Sequence, residues 1–238
     1  MGRFFFSLLL FLFGCLLGFQ IGRQDMRRPI VGKASEAKEF VVLLHAQPDA
    51  LKGDVLESVR SLLNQNYSAV RLLFFGDSAI CQEIEQFCQG WRGYVFTCAT
   101  DESLDMERTL RSALPLLTGS EIVIPLEAGD RLLHPAVLQR LNLLYQDPNL
   151  WLSAIHPVLF PSYEVDRSFR KLSPEMPSFT PLAFYAALLQ ESAGVEDYRQ
   201  ELLEMGKDHS CLVDEPLFLV NHECIEKQSA STLFAPFQ

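Results

Sequence analysis

The apolar positions of this chain follow two different periods over residues 39–225. Short continuous apolar runs such as 40–44 are typical of strands that are buried on both faces of a sheet. Between these runs, apolar residues such as Val55, Val59 and Leu62 recur every three or four positions, which indicates an amphipathic helix. Strands that alternate with helices need crossover connections. The pattern therefore predicts one α/β domain with a mainly parallel sheet flanked by helices.

The same pattern predicts the individual elements. Strands are expected at 40–44, 70–75, 94–98, 121–126, 151–160, 212–213 and 217–220. Helices are expected around 55–63 and at 80–87, 104–117, 135–145, 182–190 and 197–205. The proline-containing segment 161–180 is expected to form a long loop, and such loops inside compact domains are usually functional.

The first 22 residues differ in kind from the rest. Residues 4–21 contain no charged side chain and are just long enough to cross a bilayer. We expect an N-terminal apolar helix that serves as a membrane anchor. A signal segment that is cleaved or lipidated at Cys15 is the alternative. Residues 23–38 are polar and predict a linker, and residues 226–238 a C-terminal tail.

Positive charges flank the apolar segment unequally. Arg23, Arg27 and Arg28 follow it, whereas Arg3 alone precedes it. Because cytoplasmic flanks carry the excess of Lys and Arg, an anchored chain would have its globular domain in the cytoplasm. If the segment is a signal instead, the domain is secreted or lipid-anchored.

Composition excludes one class of partner and makes some sites improbable. The net charge of −10 and the pI near 5.0 argue against a nucleic-acid-binding protein, which needs a basic face. The six cysteines contain no C-x-x-C pair, so no zinc site is expected, and their irregular spacing predicts reduced thiols. No nucleophile elbow, P-loop or G-x-G-x-x-G follows a predicted strand.

Candidate site residues follow the predicted strands. Ligands of open α/β sheets bind beyond the carboxyl ends of the strands, so side chains at those ends are expected to line one rim. The residues concerned are His45 after the first strand, Asp77 after the second, Glu127 and Asp130 after the fourth, and the Glu196-Asp197 pair before the late helix.

Five segments, in order along the chain, resemble motifs of the family 2 glycosyltransferases. Segment 56–67 (LESVRSLLNQNY) is similar to the first helix of that family, and 75–78 (FGDS) stands at its nucleoside-binding turn. Segment 118–130 (TGSEIVIPLEAGD) is similar to the stretch that contains the D-x-D element, 194–198 (GVEDY) to its G-x-E-D-Y segment, and 214–217 to its D-E-P-L strand.

The resemblance implies a GT-A, Rossmann-like fold and transfer of a sugar, with inversion, from a nucleotide-sugar donor to a glycan or lipid acceptor. By this resemblance Asp197 is the general base that takes the proton of the acceptor hydroxyl. Asp77, His45 and Glu196 would contact the donor. Glu127 and Asp130 would hold a divalent cation, Mn²⁺ or Mg²⁺, that neutralises the leaving diphosphate.

The chain departs from the family pattern at several positions. The D-x-D element reads Glu127-Ala128-Gly129, and Gly76 replaces the first nucleoside aspartate. The arginine that often follows the D-E-P-L strand is replaced in Val220-Asn221-His222, and a strand-end arginine is shifted, with Arg108 and Arg111 nearby. A catalytically inactive GT-A-like module that binds a partner or a nucleotide is therefore the alternative function. Structural roles also stay open for the carboxylates: Asp197 suits a helix cap and Asp77 a turn.

Overall fold

The computed structural model describes residues 36–89, 95–100, 105–168, 181–191 and 198–221. All of them belong to one compact unit, Ala34–Gln238. The predicted anchor or signal segment, the C-terminal tail, Glu196 and Asp197 lie outside the described residues. Within the ranges that are described, no helix is long and apolar enough to cross a membrane.

Strands and helices alternate along the chain much as the apolar pattern predicts. The strands are β1 (Phe40–His45), β2 (Val70–Gly76), β3 (Val95–Thr100), β4 (Ile122–Glu127), β5 (Arg131–Leu132), β6 (Leu152–Ile155), β7 (Val158–Phe160), β8 (Glu164–Val165), β9 (Leu182–Tyr185), β10 (Ser210–Val213) and β11 (Phe218–Asn221). The helices are α1 (Lys52–Leu63), α2 (Ser78–Cys88), α3 (Met106–Ala113), α4 (Val137–Leu144), α5 (Ala186–Glu191) and α6 (Tyr198–Met205), with a 3-10 turn at Leu114–Leu116.

The larger sheet contains seven strands in the order β10-β6-β9-β4-β1-β2-β3. Strand β1 pairs in parallel with β2 and with β4, and β2 pairs in parallel with β3. Strand β9 is antiparallel to both of its neighbours, β4 and β6. The prediction of a mainly parallel sheet is thus confirmed, with one antiparallel strand that was not predicted.

Apolar layers cover both faces of this sheet. Alternate side chains of β1 point to opposite faces, so Val42 packs with apolar residues of α1, α2 and α4, and Val41 with those of α3, α5 and α6. Both side chains are at most 1% exposed. The continuous apolar run at 40–44 therefore reflects a strand that is buried on both sides.

A smaller sheet contains four strands in the order β5-β11-β7-β8. Strand β5 follows the turn after β4 and pairs antiparallel with β11. The residues that follow β4 are therefore hydrogen-bonded, through β5, to β11 near the end of the described chain. Because β5 and β8 have two residues each, no pattern in the sequence predicts this sheet.

Two predicted elements are wrong. The strand expected at 151–160 is divided at His156-Pro157 into β6 and β7, which belong to different sheets. The helix expected at 182–190 begins with β9, which lies between β4 and β6, and becomes helical only at Ala186. A short apolar run such as Leu182–Tyr185 fits a buried strand or a buried helix equally well, because the sheet position that decides between them is set by distant residues.

The expectation of reduced thiols is also wrong for two cysteines. Cys81 of α2 and Cys98 of β3 form a disulfide, with their Cα atoms 6.1 Å apart, whereas Cys88 and Cys211 are free. Their sequence spacing gives no sign of this pairing. The pairing depends on the crossover between β2 and β3, which packs α2 against β3.

We expect Cys98→Ser to lower the free energy of unfolding by about 3 kcal/mol, because the disulfide closes a loop of 17 residues and thereby restricts the unfolded chain. Chemical denaturation of the full chain measures this, and Cys88→Ser is the matched control at a free thiol. In reductant, the difference in unfolding free energy between wild type and Cys98→Ser should shrink to the difference between wild type and Cys88→Ser. A difference that reductant leaves unchanged would contradict the pairing.

Candidate functional site

The carboxyl ends of three parallel strands define the candidate site. Strand β1 ends at His45, β2 at Gly76 and β4 at Glu127. His45 lies opposite Phe75 on one side and opposite Glu127 on the other. It is therefore in the middle of the edge formed by these strand ends, the strand-end rim, which is the edge where open α/β sheets bind ligands.

His45 and Glu127 form a close polar pair at this rim. Nδ1 of His45 lies 2.8 Å from Oε2 of Glu127. The imidazole is 2% exposed and the carboxylate side chain 30%. Because a carboxylate only accepts hydrogen bonds, the Nδ1–H group is the donor. The bond fixes the orientation of both side chains at the centre of the rim.

Asp130 closes the turn that follows β4. Its Oδ2 accepts a hydrogen bond from the main-chain N–H of Glu127 (3.0 Å), and its Oδ1 accepts one from the N–H of Asn221 (3.1 Å). The carboxyl group therefore ties the turn to the end of β11. Burial raises the pKa of Asp130 to about 7, against the effect of these two N–H groups, and the neighbouring Glu127 carboxylate adds a smaller increase.

Gly129 has a backbone conformation that L side chains rarely adopt, with φ of +97°. A Cβ atom at this position would lie 2.6 Å from Nδ2 of Asn221. The N–H of Gly129 donates a 2.9 Å hydrogen bond to the buried hydroxyl of Ser58 on α1. The turn is therefore held from three directions, by α1, by β11 and by its own aspartate.

Asp77 lies at the end of the neighbouring strand. It is exposed and is the N-cap of α2, where its carboxylate accepts a 2.6 Å hydrogen bond from the N–H of Ala79. The preceding Gly76 has no room for a larger residue, since a Cβ atom there would lie 2.7 Å from the ring of Phe74 and 3.2 Å from Cβ of Ala46. With glycine at position 76, the turn therefore carries a single carboxylate, that of Asp77.

The structure brings together part of the predicted set. His45, Glu127 and Asp130 lie within one hydrogen-bonded cluster, and Asp77 is at the end of the adjacent strand. The placement of Glu196 and Asp197 cannot be compared, because both lie outside the described residues. The donor, metal and catalytic roles of all six residues stay predictions.

Two residues that contact the turn after β4 were not predicted from the sequence. Ser58 and Asn221 contact the turn from 71 and 91 residues away along the chain, through Gly129 and Asp130 respectively. Asn221 belongs to the segment Val220-Asn221-His222, for which the resemblance implies an arginine, and Ser58 lies within the segment similar to the first helix of that family. Neither signal indicates a contact with the turn after β4.

A separate open pocket of about 460 Å³ lies between α1 and β5. Its lining includes Glu57, Arg60 and Arg131, and Glu57 forms ion pairs with both arginines. None of the candidate site residues lines it. We favour the strand-end rim over this pocket as the candidate site, because the rim combines the strand ends with a polar pair whose imidazole is buried.

Solved structures of known proteins share this fold. The structure of S. aureus TarS 1-349 has 13% sequence identity and a TM-score of 0.58, and the match covers 84% of this chain and 67% of that one. The mannosyltransferase PcManGT from Pyrobaculum calidifontis, in complex with GDP-Man and Mn²⁺, has 13% identity and a TM-score of 0.60, with coverage of 87% and 63%. This chain has the fold of these two proteins.

The likeness is one of fold and not of close sequence. TarS 1-349 has also been solved with UDP-GlcNAc, with a TM-score of 0.57 and 14% identity to this chain. No protein-family model matches the chain, and no curated protein matches its sequence. The chain spans 40% of the longer TarS structure and about two thirds of the other two, so the activities of those proteins are not carried over by the likeness.

We expect Asp130 to make stability depend on pH. Its folded pKa is raised to about 7, so it stabilises the fold below the unfolded pKa of about 3.9, and this contribution is lost as the pH rises to 7. From pH 5 to pH 8, the stability of wild type relative to Asp130→Asn should fall by on the order of 1–2 kcal/mol.

Denaturation of the full chain at several pH values measures this difference. Asp147→Asn is the matched control, because Asp147 is exposed and also accepts a main-chain hydrogen bond, from Asn149. Parallel curves for wild type and Asp130→Asn over this range would show that Asp130 titrates normally.

Proposed function

We propose that this chain is a glycosyltransferase that moves a sugar, with inversion, from a nucleotide-sugar donor to a glycan or lipid acceptor. The observation that carries the proposal is the strand-end rim. His45, Asp77 and Glu127 lie at the carboxyl ends of adjacent parallel strands. Solved structures with the same fold contain UDP-GlcNAc in one case and GDP-Man in another.

The proposed reaction is a single displacement at the anomeric carbon of the donor. The acceptor oxygen forms a bond to this carbon on one face while the bond to the diphosphate oxygen breaks on the other. The electron pair leaves with the nucleoside diphosphate, and a base takes the proton of the acceptor hydroxyl. We assign the base to Asp197, and contacts with the nucleotide-sugar donor to Asp77, His45 and Glu196.

A catalytically inactive binding module is the second candidate. It is favoured by the two glycines at the rim, Gly76 and Gly129, where the family pattern has aspartates and where side-chain atoms of neighbouring residues occupy the Cβ directions. The packing at both positions therefore fits glycine and leaves no space for an aspartate side chain. Nucleotide binding without transfer would distinguish this candidate from the enzyme.

The location of the domain is a further part of the proposal. We expect the N-terminal segment to associate the chain with a membrane. The disulfide between Cys81 and Cys98 favours the secreted or lipid-anchored alternative over a cytoplasmic domain, because disulfides persist in oxidising compartments.

Nucleoside diphosphates should raise the melting temperature of the full chain, because a ligand that binds only the folded state stabilises it. At about a hundredfold excess over Kd the stabilisation is about 2.7 kcal/mol, or roughly 5–10 °C for a domain of this size. Thermal unfolding with UDP and GDP measures it, with uridine and guanosine as controls for the diphosphate. If no nucleotide shifts the transition, the transferase is refuted, and a module that binds a partner instead of a nucleotide is the candidate that stands.

Replacing Asp197 with Asn should lower sugar transfer by about 10²–10⁴-fold, because the acceptor hydroxyl loses its base. The nucleotide-induced shift in melting temperature should stay unchanged. Asp208→Asn, at an exposed turn after α6, is the matched control and should keep full transfer. Full turnover by the Asp197→Asn variant would refute the assignment of the base.

A further inference from the structure

The turn after β4 stands where the family resemblance implies a divalent cation. Mn²⁺ and Mg²⁺ need several oxygen ligands at once, and carboxylates supply most of them in proteins. The fit of such an ion therefore depends on how many carboxylate oxygens are available around Glu127. One solved structure with this fold, PcManGT, contains Mn²⁺ together with GDP-Man.

Glu127 is already engaged by a hydrogen-bond donor. Its Oε2 accepts the bond from Nδ1 of His45, and that nitrogen is buried. Because the carboxylate has two oxygens, Oε1 is the atom that Glu127 could offer to a cation while Oε2 keeps this bond. One carboxylate oxygen is a single ligand where a divalent cation needs several.

Asp130 is engaged at both oxygens. The main-chain N–H groups of Glu127 and Asn221 donate to Oδ2 and Oδ1 respectively. Because these bonds hold the turn and join it to β11, the carboxylate cannot turn towards a cation without opening the turn. Asp130 is thus a structural residue of the corner.

A second carboxylate is excluded at position 129 by the packing. Gly129 has a positive φ, and Asn221 occupies the direction that a side chain would take. The amide oxygen of Asn221 is itself buried and accepts no hydrogen bond. As a neutral oxygen it would be one ligand where several are needed. In the part of the chain that the structure describes, no group of three or more His, Cys, Asp or Glu side chains could hold a metal ion.

We propose that the corner formed by His45, Glu127, Gly129, Asp130 and Asn221 holds no divalent cation, and that a nucleoside diphosphate binds at the strand-end rim without one. The second half of this inference rests on the proposed function.

Two measurements on the full chain test this. Calorimetric titration with UDP and with GDP gives Kd in EDTA and in Mn²⁺, and we expect the two values to agree within about twofold. Electron paramagnetic resonance of Mn²⁺, recorded with and without nucleotide, reports the free ion directly. Mn²⁺ bound to the protein lowers this signal. We expect wild type and Glu127→Gln to give the same free-ion signal. The matched control is Glu164→Gln, which changes an exposed carboxylate on β8.

Nucleotide binding that is at least about tenfold tighter in Mn²⁺ would overturn the inference and leave the proposed function standing. Bound Mn²⁺ that Glu127→Gln releases and Glu164→Gln retains would overturn it as well. If neither nucleotide binds in either buffer, the proposed function fails. The resonance signal of Mn²⁺ alone then decides whether the corner holds a cation.

Discussion

Strand β1 has hydrogen-bonding partners along both edges and apolar layers on both faces, and the positions of the site residues follow from this placement. Its parallel pairing with β4 puts His45 opposite Glu127, and its parallel pairing with β2 puts the same residue beside the turn that carries Asp77. Main-chain pairing thus brings side chains from three separate segments to one edge. A shift in the register of β1 by one residue would turn His45 to the other face and separate it from Glu127.

The turn after β4 shows how one set of contacts both builds the corner and limits its chemistry. Asp130 uses its carboxylate oxygens to hold main-chain N–H groups, and Asn221 fills the space beside Gly129. An aspartate at position 129 would require a different turn. The glycine at this position is therefore matched by the packing around it, and the rim keeps Glu127 in a pair with His45.

Sequence patterns predicted the parts of the fold that depend on local periodicity. The apolar runs at β1, β2 and β4 and the stripe of α1 identify buried elements directly, and the strand ends then indicate the rim. What could not be predicted depends on distant partners. The split of 151–160 and the strand at Leu182–Tyr185 are decided by which sheet each segment joins, and the disulfide by where α2 packs. The contacts of Ser58 and Asn221 arise in the same way.

We propose that the strand-end rim binds the diphosphate of a nucleotide. A crystal structure of the full chain with UDP or GDP would test this proposal. We expect the diphosphate at the carboxyl ends of β1, β2 and β4, within hydrogen-bonding reach of the segments that carry His45 and Asp77. A nucleotide found instead in the pocket between α1 and β5, with the rim empty, would contradict it.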